Sequence, residues 1–523
     1  MPSLAAKPLV GFSGSLDPPV RLFNGMLDYV DENAVPHPYL VEALPKLNTD
    51  TWRVFADGRM ETVHRLRPNL RWPDGTALTA EDFAFALRVY AKPELGVAGT
   101  KPINLMESVA APDFRTVVIK WRQPFPDADR MDSGFQALPR HVLEADFQSV
   151  AEGDAQGFIN HPFWTSEYMG LGPYKVENWE PGAFLEATAF DGHALGRPKI
   201  DRLRLVPMSD RNTALATMLS GEAHYIVDFI LGFDEGASLE REWATSAAGT
   251  VFFAPVLFRF SQIQRRPEYV RPKALLDVRV RAAIAYAIDA PGGLEVMTGG
   301  KGDLTWTITS PRADYYPLVE RAITKRPYDP RKAQQLLEES GFARGSDGFY
   351  VSPSGERLEL EIWNTGGTFE TENRIFADSL RKAGIDATPQ SLGAARLRDQ
   401  QFRSLIPGLF TGGATTLESR LNQHSIERIA RPENRWTGSN RGAWTNEEFE
   451  RLYQAWNVTL DPTERIQQIV EMDRLVNEDV GSIPHYFTAV VTAHAANLKG
   501  PAPRSTPESP LGIHNIWTWE WTS

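Results

Sequence analysis

Apolar residues recur at three- and four-residue spacing in some stretches of the chain and at alternate positions in others, so both helices and strands are predicted. Thr79 precedes a stripe of Phe83, Ala86, Leu87 and Tyr90, the spacing of a capped amphipathic helix. Asp329-Pro330 opens a second helix that buries Leu336 and Leu337 and stops at Gly341. Thr445 and Glu448 read as a capping box ahead of Phe449, Leu452, Tyr453 and Trp456. Asp461-Pro462 starts a helix carrying Ile466, Ile469, Val470 and Val476, and Val280, Ala283, Ile284, Ala287 and Ile288 mark another.

Alternation predicts strands at 116–121, 174–179 and 184–190. Segments 203–207, 214–219 and 225–229 read as a strand–helix–strand unit, and 358–363, 375–383 and the run from Ile385 as a second. Two such units, ~150 residues apart, predict an α/β chain of two mixed sheets in two lobes with a ligand cleft between them. Loops at 265–272, 310–317 and 501–510 are the best breaks, and none is long enough to be a free tether. There are no internal repeats.

The length of 523 residues allows about three domains or two large lobes. A net charge of −12 argues against a nucleic-acid partner and an anionic membrane surface, both of which call for basic faces. With no cysteine there is no disulfide, thiol nucleophile, iron–sulfur cluster or thiolate zinc site. No apolar run reaches the ~18 residues of a membrane span. The first ten residues lack a signal-peptide pattern, which leaves a cytoplasmic location or a removed leader.

Catalytic patterns are missing: there is no HExxH, GxSxG, GxxxxGK[ST] or GxGxxG opening a helix. The ten histidines are scattered and none pairs at i, i+4, so no metal or cofactor is expected. A facing pair of carboxylates, as in a glycoside hydrolase, stays open as the rival reading. The sequon at Asn457 falls inside a predicted helix and carries no weight. Trp517, Trp519 and Trp521 alternate, as in a terminal strand with indoles on one face. Trp436 and Trp444 flank a polar, Gly-rich loop, a candidate platform for stacking a ligand, with loop anchoring as the alternative.

The passage LRWPDGTALTAED at 70–82 closely resembles a segment of the family 5 extracellular solute-binding proteins of ABC transporters, the peptide-, nickel- and oligosaccharide-binding group. Further matches follow in order: LFNGMLDY at 22–29, GLGPYKV at 170–176 with WEPG at 179–182, and LSGEAH at 219–224. VRAAIAYAID at 280–289, Tyr328 to Phe342 and IPHY at 483–486 complete the series. The resemblance implies a type II periplasmic-binding-protein-like fold in its large three-subdomain form. The first lobe would comprise about 1–230 with the return segment 481–523 and carry a subdomain at about 31–165. The second would span about 231–480.

It also implies a monomer with no enzymatic activity, periplasmic or extracellular and membrane-associated, that delivers a small polar ligand to permease subunits. Peptide binders of this family hold the ligand's amino terminus with an Asp in a loop whose counterpart here is GLFTGGATTLESR at 408–420. Gly413 takes the Asp position and Phe410 the aromatic one, while Glu418 could substitute from another direction. A buried ammonium without its counter-charge is costly, which disfavours a peptide. An oligosaccharide or amide-rich compound suits Trp436, Trp444 and Asn440 better. The expected ligand contacts are therefore Phe23, Asn24, Phe410, Thr411, Gly413, Glu418, Arg420, Trp436, Asn440, Trp444 and Tyr486.

Overall fold

A computed structural model describes residues 3–9, 17–151, 153–367, 369–510 and 512–522. Two long antiparallel strands, Gly249–Ile263 and Ser482–Ala495, form its spine. Both are rich in apolar residues and largely buried, with the polar side chains Arg259, Ser261 and His485 enclosed among them. At one end the second strand pairs with the short strand Tyr225–Ile226. At the other end, the first strand pairs antiparallel with Leu409–Ala414, which lies parallel to Glu359–Asn364, itself parallel to Asp386–Ser391. With Gly302–Leu304 paired on the flank of the second long strand, the result is one mixed seven-stranded sheet. The pairing of the two long strands shifts register between Pro255 and Leu257 and again between Arg259 and Phe260.

Hydrophobic cores sit on either side of that first irregularity. One cluster joins the N-terminal segment through Ile200 to the chain end, with Leu4, Leu9 and Trp121 packed in the same body as Leu498, Ile516 and Trp519. It contains an antiparallel four-stranded sheet and the three-stranded sheet of Tyr174–Glu180, Phe184–Ala189 and Arg202–Leu205. Separate clusters at the other end use Ile284, Leu337, Ile362, Phe376 and Leu409, and Phe258, Trp444, Phe449 and Met472. Between them lies a small cluster of Ala254, Val256 and Val490. A further packing group joins helices Arg211–Leu219 and Phe233–Ser246 to Val491 and Ala493.

Most predicted elements form where the pattern placed them. Thr79 caps Ala80–Tyr90 with Asp82 closing the box, and Asp329 and Asp461 cap Pro330–Glu339 and Pro462–Glu478. Three expectations are corrected. The segment 203–226 is not one unit: its first strand closes the three-stranded sheet and its last joins the long strands, so the helix between links two sheets. Helix Glu447–Trp456 is capped by Asn446, whose side chain accepts from the Phe449 amide, and not by Thr445. The terminal tryptophans share no face: only Glu520–Trp521 is a strand, Trp519 is buried against Tyr225, Trp517 stacks on Tyr39, and Trp521 is exposed beside His224.

Candidate functional site

Where the strand Leu409–Ala414 ends, Thr416 caps a short helix, Leu417–Asn422, that turns the chain toward the first lobe. Glu418 on this helix accepts from Lys101 Nζ at 2.8 Å, and the same ammonium donates to Asn457 Oδ1 at 2.7 Å. Asn457 is the C-cap residue after helix Glu447–Trp456, so the sequon lies at the helix end with its side chain already engaged. Arg465 donates to Asp127 at 3.1 Å. Arg420 is buried, donates to the Thr415 carbonyl and to Glu508 Oε1 at 2.7 Å, and lies over the ring of Phe487. These contacts join residues near the second-lobe cores to segments near the first-lobe core.

Beneath the same strand lies a buried polar cluster. Gly413 is registered opposite Arg259 and Thr411 opposite Ser261. Thr411 Oγ1 and Ser261 Oγ are 2.8 Å apart, and Ser261 Oγ is 2.8 Å from His485 Nε2. The guanidinium of Arg259 donates through Nε and Nη2 to Glu372, which also accepts from the Tyr486 hydroxyl. Both members of this ion pair are essentially unexposed, at 2% and 0%, so neither can lose its partner without stranding a charge. Burial pushes the His485 imidazole down to about 3, with the Arg259 charge adding to the effect, so it stays neutral and joins the network by hydrogen bonding alone.

The remaining expected contacts are spread more widely. Phe410 packs outward with Leu392 and Ile406, under the Arg403 guanidinium. Asn24 donates to the Leu4 carbonyl and accepts from the Ala6 amide and the Tyr168 hydroxyl, which ties the N-terminal segment down. Phe23 is a core residue whose carbonyl accepts from the Gly172 amide. A groove of about 390 Å³ on the first lobe is lined by Phe23, Asp74, Tyr168 and Lys175 among others.

The stacking platform expected of Trp436 and Trp444 is not assembled. Trp444 is buried and its Nε1 donates to Asp479. Asn440 is equally committed, donating to the Ser425 and Trp444 carbonyls and accepting from the Trp444 amide. Trp436 is half-buried in a separate turn beside Arg266. The alternative, loop anchoring, describes Trp444 and Asn440.

Arg259 and Glu372 were not among the expected contacts. Their signal was present: Arg259 interrupts an otherwise apolar run, and Glu372 shares a helix face with Phe376 and Leu380. A lone charge in each of two buried faces implies a pair, but the sequence does not say which two meet.

The family model for bacterial extracellular solute-binding proteins, family 5 Middle, matches residues 42–419. The chain is 25% identical over 472 residues to the glutathione-binding protein GsiB of Escherichia coli O1:K1 / APEC, covering 87% of this chain and 83% of that one. Among solved structures it resembles NikZ from Campylobacter jejuni in complex with Ni(L-His), with a TM-score of 0.77 at 19% identity, covering 99% and 97% of the two chains. It also resembles an oligopeptide-binding protein from Thermus thermophilus complexed with a pentapeptide, with a TM-score of 0.75 at 22% identity over 96% and 91%.

Proposed function

Because the chain belongs to the bacterial extracellular solute-binding proteins of family 5, we propose that it captures an amino-acid-based solute between its lobes and hands it to a membrane permease. The two-lobed α/β fold and the role of substrate-binding component of an ABC importer are those of the family. The ligand class that we assign is a peptide, glutathione-like or metal–amino-acid solute, held from the lobe interface near 411–420. The expected preference for an oligosaccharide has no support, because the relatives named above bind glutathione, a pentapeptide and Ni(L-His). The missing Asp at Gly413 therefore argues for a different grip on such a ligand and not for a sugar. No observation favours the hydrolase alternative.

The pair of long strands carries the reading. Among the described residues, these two strands connect the main cores within the seven-stranded sheet, and their register shifts at Pro255–Leu257, where the hydrophobic cluster is smallest. Such a bridge bends at low cost, and the ligand drives closure by its differential affinity for the closed form. The proposed first lobe is about 1–230 with 481–523, including the subdomain at 31–165, and the second is about 231–480. Segment 231–253 packs against helix Arg211–Leu219, which supports moving that boundary to the bend. Delivery in the periplasm fits the family, and among the described residues no helix is long and apolar enough to cross a membrane.

Calorimetry and small-angle scattering with glutathione, di- to pentapeptides, Ni(L-His) and maltotriose test the proposal. One amino-acid-based ligand is expected to bind stoichiometrically, compact the molecule and be recovered unaltered. Binding of maltotriose alone, or its hydrolysis, would overturn the reading.

A further inference from the structure

Asp473 accepts from the hydroxyls of Thr307 and Thr309 and the amide of Ile308. Buried Arg281 donates through all three nitrogens, and buried Arg420 through both terminal ones, its inner Nε alone being unpaired. Arg259 differs. Two of its three nitrogens serve Glu372, and the ring of Phe369 covers its guanidinium with the centroid 3.8 Å away. Among the described residues, Nη1 donates to no protein acceptor, although the side chain is only 2% exposed.

That nitrogen lies at a gap in the strand. A Cβ at Gly413 would sit 3.4 Å from Arg259 Nη1 and 3.1 Å from Leu257 Cδ1. Gly413 itself is exposed, whereas Thr411 and Ala414 beside it are buried. The absent side chain thus leaves a notch lined by an unused donor of a permanent cation, by Leu257 and by the Phe258 carbonyl oxygen, 3.3 Å from the same Cβ position. Leu257 stands at the register shift of the long strand, and five residues beyond Gly413 the chain reaches the Glu418–Lys101 contact. The notch therefore lies where the two bodies meet.

Its electrostatics favour one kind of guest. Glu372 already receives two guanidinium nitrogens and a phenol hydroxyl, so its charge is spent inward. His485, in hydrogen-bond contact with Ser261, brings no charge. A guanidinium nitrogen with no protein acceptor, on a side chain only 2% exposed, donates well to a negatively charged oxygen and repels an ammonium.

We infer that Arg259 Nη1 and the space at Gly413 form a subsite for a carboxylate of the ligand. The inference rests on the receptor reading above and adds to it: the ligand presents a free carboxylate to the hinge side of the second lobe, and Gly413 is a specificity-determining position because any side chain there occupies the carboxylate's place.

Matched acid and amide probes test this by calorimetry: Ala-Ala-Ala against its C-terminal amide, and glutathione against its glycinamide analogue. The wild-type chain is expected to bind at least one acid about tenfold or more tightly than its amide, the worth of one charge-assisted hydrogen bond. Gly413→Asp places a tethered carboxylate on Arg259 and should cost the acid about thirtyfold while abolishing the acid-over-amide preference. Gly413→Ser brings the same crowding without the charge and should weaken acid and amide alike, by less than about fivefold. The melting midpoint of each variant is read alongside; if Gly413→Asp does not fold, the wild-type acid-to-amide ratio decides alone.

Equal affinity for acid and amide, or equal losses from the two variants, would overturn the subsite while leaving the peptide-like reading intact. Failure of every probe, acid and amide together, would overturn that reading and the subsite with it.

Discussion

Lys101 Nζ of the first lobe donates to Glu418 Oε1 of the second at 2.8 Å, and both side chains are about one-third to two-fifths exposed. So exposed a pair adds little to folding, but with the lobe boundaries proposed above it spans the two lobes and would form only in the closed form. Lys101→Ala should leave stability within ~1 kcal/mol of wild type and weaken ligand affinity roughly two- to fivefold by favouring the open form. The loss should shrink as salt is raised, because the wild-type pair is itself screened. Calorimetry at low and high ionic strength checks this; an unchanged affinity at low salt rules the latch out.

Tyr486 and Glu372 behave in the opposite way because both are buried. Tyr486→Phe removes one donor from a carboxylate without access to water and should cost about 1–3 kcal/mol. Glu372→Gln leaves Arg259 charged and unpaired and should cost about 3–5 kcal/mol. Urea denaturation at constant pH measures both. The ordering matters most: a phenylalanine variant less stable than the glutamine variant would contradict the network as described.

Acid stability follows from four buried imidazoles. Burial holds His64, His193 and His424 down to about 4 and His485 down to about 3. Each stays neutral when folded and binds a proton when unfolded, so the stability it contributes is complete above pH ~6.5 and is lost as pH falls toward its folded value. Each proton contributes a slope of up to about 1.4 kcal/mol per pH unit in that window. Burial raises Asp28 and Asp473, which works the other way and offsets part of the loss at the acid end. The urea midpoint should therefore fall steeply between about pH 6.5 and about pH 4, and His485→Gln should flatten the fall. A profile level across this range would show that these histidines are hydrated.

Gly172 touches the backbone at the end of the first helix, Asp17–Phe23. A Cβ there would lie 2.4 Å from the Leu22 carbonyl oxygen and 2.5 Å from the Phe23 carbonyl carbon, and backbone cannot step aside as a side chain can. Gly172→Ala should destabilise the first lobe by at least ~2–4 kcal/mol. Differential scanning calorimetry of the whole chain should show that transition alone moving down.

Helix starts were the most readable feature, because a cap is a local arrangement: Thr79, Asp329 and Asp461 each precede their helix and fold back on its first turn. Even the one error was a single residue, Asn446 for Thr445, two side chains with the same capping chemistry. Sheet membership was less readable, because periodicity shows that 202–205 and 225–226 are extended but not which neighbour each pairs with. The candidate site was least readable of all. Trp444 and Asn440 look like ligand contacts by residue type, yet both are committed to the protein itself. Arg259 and Glu372 stand 113 positions apart and their meeting is purely a product of topology.

Leu4 and Leu9 share a core with Ile516 and Trp519, so the first body is assembled from segments far apart along the polypeptide. During synthesis the intervening body can mature while the first still lacks its late pieces, and an early stop codon near residue 498 would leave that first body with an open seam. The first body therefore reaches its full packing only once Ile516 and Trp519, among the last residues made, have joined Leu4 and Leu9.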